Sequence, residues 1–168
     1  MSKKQFFLAV GIVAVSAIIY AWLGGFTSLS YAVVEHPEIR ISGEEYIGRP
    51  TQPELEEVFY QYRDLADQRE TGLVIITYPQ PDTTAAIRQF IGIPAEAGLD
   101  GEVRSWPAGI FVRVELTNNL LVTPSPSDVR KDAVDFARKL NLELAEQSIE
   151  FYAKDRETVV LFPVKNSD

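Results

Sequence analysis

Two stretches of this chain are built alike, and the repetition limits what it can fold into more than any other feature. The stretch "IEFYAKDRETVVLFPVK" at residues 149–165 and the earlier "VIITYPQPDTTAAIRQFIGIPA" at 74–95 each run apolar segment, polar turn, apolar segment, proline. That order reads as a β-hairpin. Each hairpin follows an amphipathic helix pattern, and each helix follows a strand. In the first copy, "YAVVEHPEIRISGEEYIG" (31–48) is extended and interrupted near Pro37. Leu55, Val58, Phe59, Tyr62, Leu65 and Ala66 then recur at three and four, with Thr51 as N-cap and Pro53 in the first turn. A strand at 72–78 and another at 85–93 complete the unit, the second stopped by Pro94.

The second copy opens with a strand over 102–118, in which Ile110, Val112, Val114 and Leu116 alternate toward a core. A helix follows, capped by Ser125 or Ser127, with Val129, Ala133, Phe136, Ala137 and Leu140 on one face. The closing hairpin pairs 149–152 with 158–164. In this alignment Tyr78 corresponds to Tyr152, Asp82 to Asp155 and Pro94 to Pro163. The expected fold is α+β: two β-α-β-β units related by a pseudo-twofold, one antiparallel sheet, both helices on one face, and one transmembrane helix in front. A groove at the seam between the copies is the natural binding place.

The transmembrane expectation comes from the first thirty residues. Lys3 and Lys4 precede an apolar run at 6–23, and no charged side chain occurs from Gln5 through Val34. Such a run spans about 27 Å as a helix, near the hydrocarbon thickness of a bilayer, with Tyr20 and Trp22 at the far interface. The competing reading is a cleaved signal peptide with Ser28 and Ser30 near the cut; the length of the run favours a retained anchor. Residues 1–30 are thus read as anchor and linker, and 31–168 as the domain. The two lysines place the amino terminus in the cytoplasm and the domain on the other side of a single-pass span.

The whole chain of 168 residues carries a net charge of −8. Its first thirty residues hold two lysines and no acid, so the rest has 14 basic against 24 acidic residues, or −10. A domain so acidic repels phosphate backbones, which excludes nucleic acid as the partner. Without cysteine there is no disulfide or thiolate metal site, and with His36 as the one histidine no triad or paired-histidine metal site can be assembled. No glycine spacing forms a phosphate loop. No metal and no cofactor are expected.

Rings and carboxylates remain. In "IEFY", Glu150 and Tyr152 share one face of a strand while Phe151 takes the other, which assigns Phe151 to the sheet-helix core and Glu150 with Tyr152 to the groove. In "IFVRVEL", Phe111, Arg113 and Glu115 form the set opposite the core, suited to either a solvated face or a ligand face. The candidate ligand-binding residues are Tyr46, Trp106, Phe111, Glu115, Glu150 and Tyr152. Rings beside a carboxylate suit an amphipathic or lipophilic cation.

The order of "EEYIGRPTQPELEEVF", "GLVIITYPQPD", "RSWPAGIFVRVEL" and "IEFYAKDRETVVLFPVK" resembles the GyrI-like small-molecule-binding domain over about residues 31–165. The resemblance implies the fold used as the effector-binding domain of multidrug-responsive transcription regulators, here without a DNA-binding helix-turn-helix. With its apolar front the chain is similar to membrane-anchored members, among them a eukaryotic autophagy receptor of the endoplasmic reticulum. That relative depends on an aromatic docking motif in a disordered tail, which residues 166–168 do not supply, so its receptor role is not expected here. Some members of the wider family hydrolyse strained electrophilic natural products, a role in which Trp106, Glu115, Glu150 and Tyr152 fall at comparable places. Three functions follow: a membrane-tethered binder of a small amphipathic molecule, which is not an enzyme; a small hydrolase in the same groove; and a module that docks a protein partner at the membrane.

Overall fold

Strand and helix patterns fold in the order read from the sequence. The computed structural model describes residues 29–79, 86–98, 101–116, 124–153 and 157–165, with Gln5, Ile12, Val15 and Ser16, all four helical, from the N-terminal segment. The rest of the apolar run at 6–23, and Asp82 and Asp155 of the repeat, lie outside the described residues. Among the described residues no helix is long and apolar enough to cross a membrane.

The strands are β1 (Ser30–His36), β2 (Ile39–Gly48), β3 (Leu73–Tyr78), β4 (Ile87–Pro94), β5 (Glu102–Trp106), β6 (Gly109–Leu116), β7 (Ser148–Tyr152) and β8 (Thr158–Pro163). The helices are α1 (Pro53–Gln68) and α2 (Pro126–Lys139), with one 3-10 turn at Ala95–Ala97. The eight described strands form one sheet in the order β1-β6-β8-β7-β3-β4-β2-β5, each pairing among them antiparallel. The two copies meet at β3 and β7, where Ile75 pairs with Glu150.

Alternation puts two sets of side chains on opposite faces. On one face α1 packs Tyr62 and Ala66 against Tyr46, Leu73, Ile75, Ile91 and Ile93. On the same face α2 packs Val129, Ala133 and Ala137 against Val112, Val114, Val160 and Phe162. The other face buries Ile39, Ile41, Val74, Ile76, Phe90, Phe111, Ile149 and Leu161, and among the described residues no helix packs over them.

The sheet's own curvature buries that second face, and register shows how. His36 pairs with Gly109 and Ile39 with Trp106, so the pairing stays in step through the two-residue links Pro37–Glu38 and Pro107–Ala108. Strands β1 and β2 are one long bent strand, β5 and β6 another. Yet β1 and β2 stand six places apart in the sheet, which in a flat sheet is about 29 Å at the usual strand spacing. A two-residue link reaches no more than about 11 Å. The sheet must curl until its ends meet at the two proline bends, enclosing Phe111, Phe90 and Trp106 on the concave side. Over its described residues, 102–116, the sequence reading of 102–118 as one unbroken strand is corrected to a bent one: Pro107 lacks the N–H that a continuous ladder needs, and the ladder divides there into β5 and β6.

Both helices stop by the same device. At α1, Thr71 N–H donates to Ala66 O (2.9 Å) and Glu70 N–H to Asp67 O (3.3 Å), with Glu70 at φ 54°. At α2, Leu142 N–H donates to Ala137 O (3.0 Å) and Asn141 N–H to Arg138 O (3.1 Å), with Asn141 at φ 56°. This Schellman pattern satisfies the last carbonyls through one left-handed residue. It aligns Ala66 with Ala137, and therefore Phe59 with Arg130.

Some expectations shift by one residue, which in a strand means the opposite face. Aligning Pro94 with Pro163, which pair with Ile41 and Phe111, carries Val74 onto Ile149 and Ile75 onto Glu150. Tyr78 and Tyr152 are not equivalent: Tyr78 packs on the concave side and Tyr152 under α1. Phe151 also packs on the concave side, not in the helix core. Ile110 is 46% exposed because it sits at the proline bend, and Leu140, 48% exposed, is the C-cap of α2. Gln52, not Thr51, holds the N-cap position of α1, whereas Ser125 caps α2 by accepting from Asp128 N–H (3.2 Å).

Candidate functional site

Glu150 and Tyr152 sit two apart on β7, so both rise on the helix face, where the strand runs beneath the space between the helices. A cavity of about 570 Å³ opens there on the α1 side, within the range of drug-sized ligand sites. Its floor is Ile75 of β3, Gln89 of β4, and Glu150 and Tyr152 of β7. Leu55, Glu56, Phe59 and Tyr60 of α1 form the wall, and the Pro50–Pro53 corner forms the mouth.

Local chemistry sets that corner. Pro53 occupies the first turn of α1, where a missing N–H costs nothing. The Gln52 side chain does not cap the helix; its Oε1 accepts from Arg49 N–H (2.7 Å) and lies 3.2 Å from the Tyr46 hydroxyl, which donates to Arg49 O (2.9 Å). Gly48 belongs to the same knot, since a Cβ there would overlap the Tyr46 hydroxyl and Gln52 Oε1. Tyr46 thus pins the mouth from behind.

On the floor, the Tyr152 hydroxyl donates to Glu150 Oε2 at 2.6 Å. Among the described residues no basic side chain lies within salt-bridge distance of Glu150. Burial pushes the Glu150 carboxyl above the ordinary carboxylate range, and the Tyr152 hydrogen bond opposes this in part. The Tyr152 phenol is raised as well, by burial first and then by the negative charge of Glu150. Gln89 Nε2 donates to Thr77 Oγ1 (3.1 Å). The Phe59 ring meets Tyr152 edge to face at 6.0 Å and Tyr60 at 5.7 Å.

The six residues singled out in the sequence fall on two faces. Glu150 and Tyr152 line the cavity, with Tyr46 behind its mouth. Phe111 and Trp106 pack on the concave side, against the second apolar cluster. Glu115, also on that side, bonds Arg113 at 2.8 Å. The structure therefore does not bring Trp106, Phe111 and Glu115 together with Glu150. The cavity adds Phe59, Tyr60, Glu56 and Gln89. Tyr60 carried a signal: it falls off the apolar stripe of its helix, and a ring 56% exposed at that position asks for a contact.

A carboxylate held without a counter-ion is electrostatically unfinished, while the concave-side acids are paired. Glu45 accepts from Arg104 (2.7 Å) and Arg88 (2.8 Å), which keep its carboxyl below the usual range. Among the described residues no group of three or more acidic, histidine or cysteine side chains is arranged to hold a metal.

No protein-family model matches the chain, and no curated protein matches it in sequence. Solved structures do match in shape. SAV2435 bound to tetraphenylphosphonium has a TM-score of 0.54 at 13% identity, over 82% of this chain and 94% of that one. The C-terminal domain of EcmrR has a TM-score of 0.57 at 13% identity, over 83% and 99%. A hydrolase from Listeria innocua has a TM-score of 0.57 at 10% identity, over 81% and 92%. At these identities the likeness is one of fold alone: two β-α-β-β units in a single antiparallel sheet.

Proposed function

We propose that the chain binds a lipophilic cation in the cavity on the α1 side of the seam, with Glu150 as its counter-charge. The observation that carries this is the Glu150 carboxylate, half-buried on the floor with a tyrosine hydroxyl and no basic partner among the described residues. Such a charge is costly to hold and gains most from a cation that is itself weakly hydrated. Phe59 and Tyr152 offer ring surface to the same cation. The tetraphenylphosphonium held by SAV2435, on the same fold, supports this class of ligand.

Calorimetric titration of the full chain with tetraphenylphosphonium tests the reading. Saturable binding that weakens roughly 10- to 100-fold in Glu150→Gln is expected, as for loss of a charged partner worth about 1.5–3 kcal/mol. Absence of binding, or binding indifferent to this substitution, overturns it.

The 2.6 Å bond between Tyr152 and Glu150 favours a second reading, a hydrolase in which this pair moves a proton. The Listeria hydrolase shares the fold. Turnover of activated esters or strained electrophiles that disappears in Glu150→Gln supports it; binding without turnover leaves the first reading.

We also infer that residues 6–23 tether the domain to a membrane as one span, with the acidic domain on the non-cytoplasmic side. The length and apolarity of the run and the position of Lys3 and Lys4 support this. Protease added outside sealed cells should digest the domain. Resistance reverses the orientation, and extraction by alkaline carbonate removes the tether.

A further inference from the structure

The cavity is lined by two acids and, among the described residues, by no base: Glu150 on the floor and Glu56 on the α1 wall. The space between them is aromatic. Tyr152, Phe59 and Tyr60 meet edge to face in sequence, at 6.0 Å and 89°, then 5.7 Å and 81°. This ladder climbs from the residue bonded to Glu150 to the residue one helical turn beyond Glu56, since Glu56 and Tyr60 are i and i+4 neighbours on α1. Among the described residues Glu56 enters no ion pair, and it stands exposed at the rim.

Beside the Arg49 cation at the mouth corner, the rim has an opposing term from the helix itself. The N-terminus of α1 carries about half a positive charge from its peptide dipoles. The carboxylates of Glu54 and Glu56 in that first turn outweigh it. An acid thus stands at each end of the cavity, with a ring-lined waist between them.

Resting on the cation-binding reading above, we propose that the preferred ligand carries two cationic centres joined by an apolar or aromatic spacer, one centre on Glu150 and the other at the rim on Glu56 and Tyr60. The two ends differ in kind. Glu150 is half-buried on the floor, so salt screens its contribution less than that of Glu56. Glu56 acts through water, so its contribution is small and disappears once the screening length falls to about 3 Å near 1 M salt.

Calorimetric titration of the full chain with hexamethonium and decamethonium, against hexyl- and decyltrimethylammonium, tests this. The pairs match in chain length and differ by one charge. At low salt the wild type should prefer the doubly charged member by more than the twofold that two equal ends give by statistics. Glu56→Gln should cut that preference about threefold, the scale of an exposed charge pair, and high salt should reduce it to the statistical twofold. A preference no greater than twofold, or one that survives Glu56→Gln, overturns the two-centre proposal while leaving the cation site intact. Loss of all four ligands in the wild type, or equal binding of all four by Glu150→Gln, overturns the cation-binding reading itself.

Discussion

Across the pseudo-twofold axis the first copy places Ile75 and the second Glu150, cross-strand partners on the same face of the sheet. The same exchange of apolar for charged recurs above them. Phe59 of α1 meets Tyr152 at the cavity, whereas its counterpart Arg130 lies over Phe162 at 5.6 Å and donates to Ala145 O at 2.8 Å. A third difference lies in the sheet. Gly43 pairs with Gly92 in the first copy, where the second pairs Arg113 with Leu161. Two halves with the same strand order and the same helix endings therefore serve different ends. The first supplies the wall of the cavity and the acid at its rim, and the second supplies the acid on its floor and closes its own side with an arginine.

Making the halves alike should break the molecule where they differ most. Gly92→Leu copies Leu161, but a Cβ at Gly92 would overlap the Ser42 carbonyl oxygen, a backbone atom that cannot step aside. Destabilisation above about 4 kcal/mol is expected, read as loss of soluble folded chain or of its denaturation midpoint. A folded variant with near-native stability shows that the glycine pair is not a packing constraint.

Next in size is the charge at the axis. Glu150→Ile would restore symmetry and remove the counter-ion, so tetraphenylphosphonium affinity should fall by the same roughly 10- to 100-fold as in Glu150→Gln. Calorimetry checks it, and equal loss in both variants locates the effect in charge instead of shape.

The same glutamate should weaken the empty protein. Its carboxyl is raised in the fold, so the folded chain holds this proton more tightly than the unfolded chain does. Its contribution to stability is full below the unfolded pKa and is lost as pH rises through the folded one. Glu150→Gln should thus stabilise the apo chain by about 1–2 kcal/mol at neutral pH, and the gain should fade on acidification. Paired urea denaturations at both pH values decide this; a gain that persists in acid assigns it to packing.

The smallest contrast concerns the helix endings. Glu70 and Asn141 both hold positive φ, but asparagine tolerates that region better than glutamate. Glu70→Gly should stabilise by about 0.5–1 kcal/mol and Asn141→Gly by less. Equal gains remove the distinction.

These contrasts also mark where the sequence was legible. Apolar periods of two and of three to four located both helices and the extended stretches, though 102–118 read as one strand where β5 and β6 form, and the i, i+2 spacing put Glu150 and Tyr152 on one face. The repeat alignment went astray at Tyr78 because the two hairpin turns differ in length, and one residue of slip exchanges faces. The concave core was invisible for another reason. Phe111 and Trp106 sit where a flat sheet would meet solvent, and only the curl through Pro37 and Pro107 encloses them. The cavity wall was hidden because Phe59 satisfies the same helical period whether it faces a core or a ligand.

The two bent strands have a consequence for how the chain reaches its fold. Each belongs to both copies at once, so neither copy is an autonomous folding unit and neither would survive excision. The ribbon joins residues far apart in sequence, from Ser30 with Glu115 to Gly43 with Glu102. Such long-range closure raises the contact order and slows the search for the native state. The apparent duplication is, in folding terms, a single cooperative unit closed by long-range backbone pairing.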